Sequence, residues 1–329
     1  MNGSMRINLM IEPQEGMTYS DILSLVRHAE DLGFEGVYRS DHYTSVFGRV
    51  EVGSTDAWAT LAGLVRETER IVLGTLISPA TFRPAANLAK VVATVAGMAG
   101  SVRHSPDGPS SRVHLGMGTG WLAVEHDQYG FPFGDLGTRF RRLEEHLQVV
   151  RGLWDPAREP FTFEGEFEQV RKARFAPRPD PPPRVIVGGR GRTKTVPLAV
   201  RYADELNCPS ATPEECRELR GVLDDACKLE ERDPSTMGFS LMTPCVVGAT
   251  EKEFRARVGR LEALAGSAPG LVDYLDRVAV RGVIGAPEQA ADRLGRLAEA
   301  GVERVMLQHL LYDDLEMLDL VAEEIAPSI

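Results

Sequence analysis

Cysteine is scarce in this chain of 329 residues, which has only Cys208, Cys216, Cys227 and Cys245. None of them forms a CxxC pair, and the nearest histidines do not complete a zinc spacing. We therefore expect reduced thiols and no metal site. HxH, HExxH and paired-carboxylate motifs are also missing, which gives poor support to a metal hydrolase or a glycosidase.

Long apolar runs are missing as well. No stretch approaches the ~20 apolar residues that span a bilayer, and the N-terminus lacks the basic and apolar regions of a signal peptide. We therefore expect a cytoplasmic protein. The chain has 37 Lys and Arg residues against 48 Asp and Glu, a formal net charge of −11. This charge argues against nucleic acid or an anionic membrane as a partner, so any anion must be bound in a local pocket.

Short apolar runs alternate with amphipathic stretches along most of the chain. This pattern predicts strands at 6–11, 36–40, 71–77, 112–117, 184–187, 204–207, 238–247 and 304–309. It predicts helices at 18–33, 54–69, 84–99, 139–154, 193–202, 213–229, 251–264, 271–278, 287–300 and 314–325. Eight strand–helix units favour a single (β/α)8 TIM barrel over residues 1–329, with inserted excursions at 156–183 and 266–283. A doubly wound open sheet is the alternative, but GxGxxG does not follow the first strand.

Ligands of such barrels bind at the carboxyl ends of the strands, where two glycine-rich loops are predicted. Gly116 to Gly120 could bring backbone N–H groups against a flat or anionic ligand, or could simply form a tight turn. Gly188 to Gly191 precedes a helix, and Arg190, Arg192 and Lys194 lie nearby. That combination favours a phosphate site over a loop with solvated charges.

Side chains able to move protons, hydrogen-bond or stack follow other strands. His42 could exchange a proton near neutral pH with Asp41 orienting or charging its ring, or could merely satisfy a turn. Trp121 could stack on a ligand ring or pack at the barrel mouth. Glu12 could hydrogen-bond a substrate or pair with a neighbouring cation.

Six motifs in a fixed order connect these residues. They span residues 39–43 (RSDHY), 73–83 (LGTLISPATFR), 116–133 (GMGTGWLAVEHDQYGFPF), 185–189 (VIVGG), 201–207 (RYADELN) and 285–289 (GAPEQ). With them the chain resembles the luciferase-like monooxygenase superfamily, most closely its branch of oxidoreductases that use the deazaflavin coenzyme F420. Related members bind FMN at the same barrel mouth, so FMN is the alternative cofactor.

The resemblance implies positions for the parts of the coenzyme. Asp41 and His42 would lie near the deazaflavin ring, and His42 would transfer the proton. A non-proline cis peptide between Leu76 and Ile77, followed by Ser78, would form a bulge that supports the ring from behind.

The resemblance also implies residues around the rest of the coenzyme. Thr119, Gly120 and Trp121 would border the ring and the ribityl chain, and Gly188, Gly189 and Arg190 would hold the phosphate. One position departs from the pattern: sugar-phosphate dehydrogenases of this branch have a catalytic glutamate directly after Thr-Gly, where this chain has Trp121. A sugar-phosphate substrate is therefore doubtful.

The sequence thus predicts an enzyme that moves a hydride between coenzyme F420 and a small organic substrate, with His42 assisting proton transfer. The predicted substrate pocket consists of Glu12, Tyr43, Trp121 and His309. The alternatives are an FMN monooxygenase that uses reduced flavin and oxygen, and a non-catalytic flavin-binding relative. By analogy with the superfamily we expect a homodimer.

Overall fold

A computed structural model describes residues 5–49, 51–100, 102–105, 108–266 and 278–329. The strands are β1 (Arg6–Ile11), β2 (Gly36–Arg39), β3 (Val72–Pro79), β4 (Val102–Ser105), β5 (Gly108–Ser111), β6 (Val113–Gly118), β7 (Phe161–Glu164), β8 (Gln169–Ala173), β9 (Arg184–Gly188), β10 (Glu205–Pro209), β11 (Gly238–Val247), β12 (Val283–Gly285) and β13 (Arg304–Gln308). The helices are α1 (Tyr19–Asp31), α2 (Ala57–Glu67), α3 (Ala85–Ala99), α4 (Ala123–Tyr129), α5 (Leu136–Trp154), α6 (Thr195–Tyr202), α7 (Pro213–Leu229), α8 (Glu251–Gly266), α9 (Pro287–Glu299) and α10 (Glu316–Leu320).

Eight of the strands form a closed parallel barrel, which confirms the predicted TIM barrel. Their order is β1, β2, β3, β6, β9, β10, β11 and β13, and β13 pairs back with β1. The remaining strands lie outside the ring: β12 pairs with the end of β11, and β4–β5 and β7–β8 are antiparallel hairpins. The β7–β8 hairpin lies within the excursion at 156–183. All eight carboxyl ends therefore meet at one mouth.

Side chains alternate along the barrel strands between two apolar clusters. Met10, Tyr38, Ile186 and Met306 belong to a small cluster inside the barrel. Leu9, Val305 and the other outward-facing residues pack against the helices in the main core. On β13, Arg304, Met306 and Gln308 thus share the inner face.

The first helix begins where the sequence predicted it, with Thr18 as its capping residue. The Thr18 hydroxyl accepts a hydrogen bond from Asp21 N at 3.3 Å, and the Asp21 carboxylate accepts one from Thr18 N at 2.8 Å. Helix α5 begins at Leu136, three residues before the predicted start at 139. It begins there because the Asp135 carboxylate caps it by accepting a hydrogen bond from Thr138 N at 2.6 Å. Helix α4 was not predicted from the sequence.

The chain ends differently from the single helix predicted at 314–325. Helix α10 is followed by a π-helical turn at Val321–Ile325. The helix predicted at 271–278 and most of the excursion at 266–283 lie outside the described residues. No helix in the described part of the chain is long and apolar enough to cross a membrane.

The amino-terminal end of the barrel is closed by a buried ion-pair network around Arg304. Its guanidinium donates to the Glu35 carboxylate at 2.7 and 3.0 Å and also contacts Glu205, and Asn8 donates to Glu35 at 2.9 Å. Burial alone would raise the pKa of Glu35, but the hydrogen bonds and charge of Arg304 outweigh it and lower that pKa to about 2. Glu35 is therefore ionised at neutral pH, and this end of the barrel is filled by paired charges.

Candidate active site

A cavity of about 480 Å³ occupies the opposite end, at the carboxyl ends of the strands. Many of the predicted site residues line it together: Glu12, His42, Leu76, Ile77, Thr119, Gly120, Trp121, Gly188 and Gly189. Asp41, Tyr43, Ser78, Arg190 and His309 are absent from the lining. The sequence therefore identified nine of the 19 residues that line the cavity, together with five residues that lie outside its lining.

One wall of the cavity is a bulge on β3. The peptide between Leu76 and Ile77 is cis, as the resemblance implied, and the pairing of β3 with β6 shifts register there. A Cβ atom at Gly118 would lie 2.9 Å from Ile77 Cδ1, and one at Gly188 would lie 2.9 Å from Ile77 Cγ2. Glycine is thus required at both positions for Ile77 to lie against the backbone of the two neighbouring strands. The result is a shallow apolar surface between two glycines.

His42 lines the cavity, and Glu125 of α4 fixes its ring. Glu125 Oε1 lies 2.9 Å from His42 Nδ1, and Glu125 Oε2 accepts from Tyr43 N at 3.0 Å. Among the described residues no hydrogen bond reaches His42 Nε2. Burial alone would lower the pKa of His42, but the hydrogen bond and charge of Glu125 outweigh it and raise that pKa above 6.5. The ring can therefore hold or release a proton at Nε2 near neutral pH.

Asp41 has a structural position instead of the predicted contact with the His42 ring. Its carboxylate accepts from Arg83 at 2.5 and 3.2 Å and from the Ser78 hydroxyl at 2.7 Å. Ser78 in turn accepts from Trp58 Nε1 at 3.0 Å. The prediction that Asp41 orients the His42 ring is wrong, because Glu125 makes that contact and Asp41 supports the base of the β3 bulge. The charge of Asp41 nevertheless helps to raise the pKa of His42.

Tyr43 is part of an aromatic cluster beside the cavity. Its ring contacts Phe82, Tyr129 and Phe131 at centroid distances of 5.0–5.1 Å. His126, next to Glu125, lies 2.7 Å from the Thr81 hydroxyl through Nε2. The predicted pocket role of Tyr43 is therefore not reflected in the cavity lining, since its ring instead packs against α4 and the segment after it.

Glu12 lies across the cavity mouth among neutral hydrogen-bond donors. Its carboxylate accepts from Gln308 Nε2 at 2.6 Å and from Gln14 Nε2 at 2.8 Å, and Gln14 Oε1 accepts from the Ser40 hydroxyl at 2.5 Å. Only 8% of Glu12 is exposed.

Trp121, by contrast, is 62% exposed, and its ring meets His42 edge to face at 5.8 Å. Trp121 is thus placed to cover a ligand from the solvent side.

The glycine loop after β9 has the predicted form, but its arginine points elsewhere. Gly189 has φ +140°, a conformation that other residues rarely adopt. Arg190 donates to Ser210 O at 3.2 Å and lies 3.6 Å from the Glu215 carboxylate. Arg190 would have to leave Glu215 to reach a ligand in the cavity, whereas the backbone of Gly188 and Gly189 already faces it.

His309 is buried behind the barrel wall, so the prediction that it lines the pocket is wrong. It alternates with Gln308, which faces the cavity, and its side chain therefore points outward. Burial lowers the pKa of His309 to about 4, which keeps the imidazole neutral at physiological pH.

Three side chains that complete the site had no role predicted from the sequence, although Asn207 and Gln308 were candidates as strand ends. The three are Glu125, Gln308 and Asn207. Gln308 ends β13, and Glu125 and Asn207 lie in the motifs at 116–133 and 201–207. Glu125 is 1% exposed, and a carboxylate so placed needs a partner. Its position directly after the glycine loop of β6 was the available signal. The described residues contain no cluster of three His, Cys, Asp or Glu side chains that could hold a metal ion.

The fold and the cavity define a TIM-barrel protein whose ligand cavity has one carboxylate, Glu12, and one histidine, His42, in its wall. The sequence profile of the family described as luciferase-like monooxygenase matches residues 5–304. The chain belongs to this family.

Relatives of the chain are named for two activities, F420-dependent dehydrogenation and monooxygenation. It is 26% identical to an F420-dependent glucose-6-phosphate dehydrogenase of Microbacterium testaceum, over 92% of this chain and 90% of the relative. Its fold is similar to that of an F420-dependent secondary alcohol dehydrogenase in complex with an F420–acetone adduct, with a TM-score of 0.81, 22% identity and 99% of both chains covered. A monooxygenase from Streptomyces bottropensis has the same fold, with a TM-score of 0.81, 20% identity and coverage of 98% and 99%.

Proposed function

We propose that this chain is an oxidoreductase that transfers a hydride between coenzyme F420 and a small organic substrate. One observation carries the proposal: His42 Nε2 has no partner among the described residues and lines the same cavity as the Ile77 bulge. A planar redox ring on that bulge would place a proton donor or acceptor beside the reacting atoms. The F420-dependent relatives support the choice of coenzyme.

The residues of the cavity fit a deazaflavin. Any side chain at Gly118 or Gly188 would displace Ile77, so the two glycines preserve a surface suited to a flat ring. Thr119, Gly120 and Trp121 would border the ring, and the backbone of Gly188 and Gly189 would hold the phosphate. Asp41 and Ser78 would support the bulge from behind without touching the coenzyme.

The coenzyme supplies the hydride chemistry when bound, and the protein supplies orientation and proton handling. Glu125 holds the proton on His42 Nδ1, which leaves Nε2 to exchange a proton with the substrate or coenzyme. Trp121 shields the ring from solvent. Glu12, fixed by two glutamine amides, orients the substrate opposite the bulge.

Three further proposals concern the substrate, the location and the oligomeric state of the enzyme. We propose that the substrate is a small molecule, that the protein acts in the cytoplasm and that it forms a homodimer. Light scattering at micromolar concentration tests the last proposal, and a monomer would contradict it.

Titration of the purified apoprotein with coenzyme F420 and, separately, FMN tests the function. Binding is monitored through the fluorescence of the cofactor. We expect the deazaflavin to bind more tightly than FMN and the enzyme to turn over without oxygen. Preference for FMN with oxygen-dependent turnover would instead make the chain a flavin monooxygenase. Tight binding of F420 without turnover of any substrate would indicate a non-catalytic relative.

A further inference from the structure

The cavity is lined by few ionisable groups, and they differ in whether an ion pair balances their charge. Of the described residues in its wall, only Glu12 and His42 are ionisable, and none is a lysine or an arginine. His42 forms a pair with Glu125, so a protonated ring and an ionised carboxylate cancel there. Glu12 is left as the lining carboxylate that forms no ion pair within the described part of the chain, because Arg39 and His42 attract it only from a longer range.

The contacts of Glu12 hold its carboxylate in place without neutralising it. Both donors, Gln14 and Gln308, are uncharged amides, and Glu12 forms no ion pair with any described residue. A carboxylate that is 8% exposed is costly to leave without a counter-charge. A ligand carrying a positive charge would supply what this site lacks.

Apart from the backbone of Gly188 and Gly189, the rest of the wall is unsuited to an anion. Met10, Phe47 and Met242 make it apolar, and Trp121 covers the solvent side. A phosphate or carboxylate on the substrate would lie near Glu12 without a lysine or arginine among the described lining residues to bind it. The cavity thus disfavours a sugar phosphate, although relatives named for one are similar in sequence.

We propose that the substrate is a small organic cation, an amine in its oxidisable form or an iminium ion in its reducible form, with its nitrogen against Glu12. This inference rests on the proposed function. In the reductive direction the iminium carbon gains a hydride from reduced F420, a C–H bond forms, and the π electrons of the C=N bond move to nitrogen. The proton that the reduced coenzyme also gives up passes through His42 or solvent to that nitrogen. The ammonium product keeps the single positive charge, so Glu12 stabilises both sides of the reaction.

Three probes with one carbon frame test the charge preference: benzylammonium, benzyl alcohol and benzoate. Binding is measured by calorimetry on the F420-loaded protein and by thermal shift on the apoprotein at neutral pH. We expect benzylammonium to bind about tenfold more tightly than benzyl alcohol, equivalent to about 1.4 kcal/mol, and benzoate to bind most weakly. Glu12→Gln should remove the preference, and Glu12→Asp, which keeps the charge, should retain most of it.

The outcomes separate this inference from the proposed function. Equal binding of the alcohol and the cation, tighter binding of benzoate, or a preference that survives in Glu12→Gln would overturn it. If Glu12→Gln weakens F420 binding instead and leaves the probes unaffected, Glu12 contacts the coenzyme and the inference fails. A cation preference in apoprotein that does not bind F420 would support the charge assignment and overturn the proposed function.

Discussion

The two ends of the barrel use the same strands for opposite purposes. On β13 the inward-facing residues run from Arg304 through Met306 to Gln308, and on β1 they run from Asn8 through Met10 towards Glu12. At the amino-terminal end the buried carboxylates of Glu35 and Glu205 meet Arg304. At the carboxyl end Glu12 meets only amides among the described residues. The two methionines lie between these ends.

Because of this difference, one end of the barrel interior contributes to stability and the other is available for reaction. A buried carboxylate paired with arginine is held in one ionisation state, and removing its partner is costly. A buried carboxylate or histidine facing an open cavity can accept a partner from outside. The closed end therefore stabilises the barrel, and the open end is available for binding and chemistry.

The largest effect is expected at the closed end. Arg304→Met should lower the free energy of unfolding by about 3–5 kcal/mol, because it removes the buried guanidinium that Glu35 and Glu205 share. Arg6, at 3.9 Å from Glu35, and Arg184, at 3.5 Å from Glu205, are more exposed and do not replace it. Urea denaturation measures this loss, while F420 affinity of the folded fraction should change less than about twofold. Arg27→Met is the matched control, since the Arg27–Glu67 pair is exposed and should contribute no more than about 1 kcal/mol. Equal losses in the two variants would contradict the contrast.

At the open end, loss of the proton-transfer group should affect rate instead of stability. His42→Gln should lower kcat by about 10²- to 10⁴-fold, the usual contribution of a general acid or base, while the urea midpoint stays near that of the wild type. Turnover is measured with the best substrate from a screen of amines, imines and alcohols. His28→Gln, which alters a half-exposed pair with Asp319, should keep full turnover. Full activity in His42→Gln would remove the role assigned to this ring.

A smaller effect is expected from reshaping the surface of the open end. The added methyl group of Gly188→Ala would lie 2.9 Å from Ile77 Cγ2 and push that side chain towards the cavity. Overpacking of this kind costs about 1–3 kcal/mol, so F420 binding should weaken by roughly 5- to 150-fold. Gly221→Ala in α7, where a Cβ meets nothing within 4 Å, should leave the titration unchanged. Unaltered F420 affinity in Gly188→Ala would place the ring elsewhere.

The sequence predicted the parts of the fold that depend on local pattern. Apolar runs bounded by turns predicted all eight barrel strands, and the helix predicted at 18–33 begins at Thr18, the residue that caps α1. The hairpin of β4 and β5 and helix α4 were missed, because both are short and lack a clear apolar period. The start of α5 was placed late because the capping role of Asp135 was overlooked.

The site was predictable to the extent that it consists of strand ends. His42, Ile77 and Gly188 were found in this way. His309 was wrongly included because it alternates with Gln308: Gln308 faces the cavity, and the side chain of His309 therefore points away from it. The His42–Glu125 contact joins residues 83 positions apart. Only the packing of α4 over the barrel mouth brings them together. The position of Glu125 after the β6 glycine loop could therefore mark it as a site residue but not as the partner of His42.

The pH dependence of Glu125→Gln tests the central claim that Glu125 charges His42 at the open end. In the wild type the hydrogen bond and charge of Glu125 raise the pKa of His42 above its ordinary value, so the protonated ring persists to a higher pH than in a free histidine. The rate of substrate reduction should therefore fall only as the pH rises through that raised value.

Without the Glu125 carboxylate, burial dominates and lowers the pKa of His42. The account predicts that kcat/KM for reduction in Glu125→Gln falls at a pH lower by about one unit or more, equivalent to about 1.4 kcal/mol of lost stabilisation of the imidazolium. A falling limb at the same pH in both proteins would contradict the assignment of Glu125 and His42 as the proton-transfer pair.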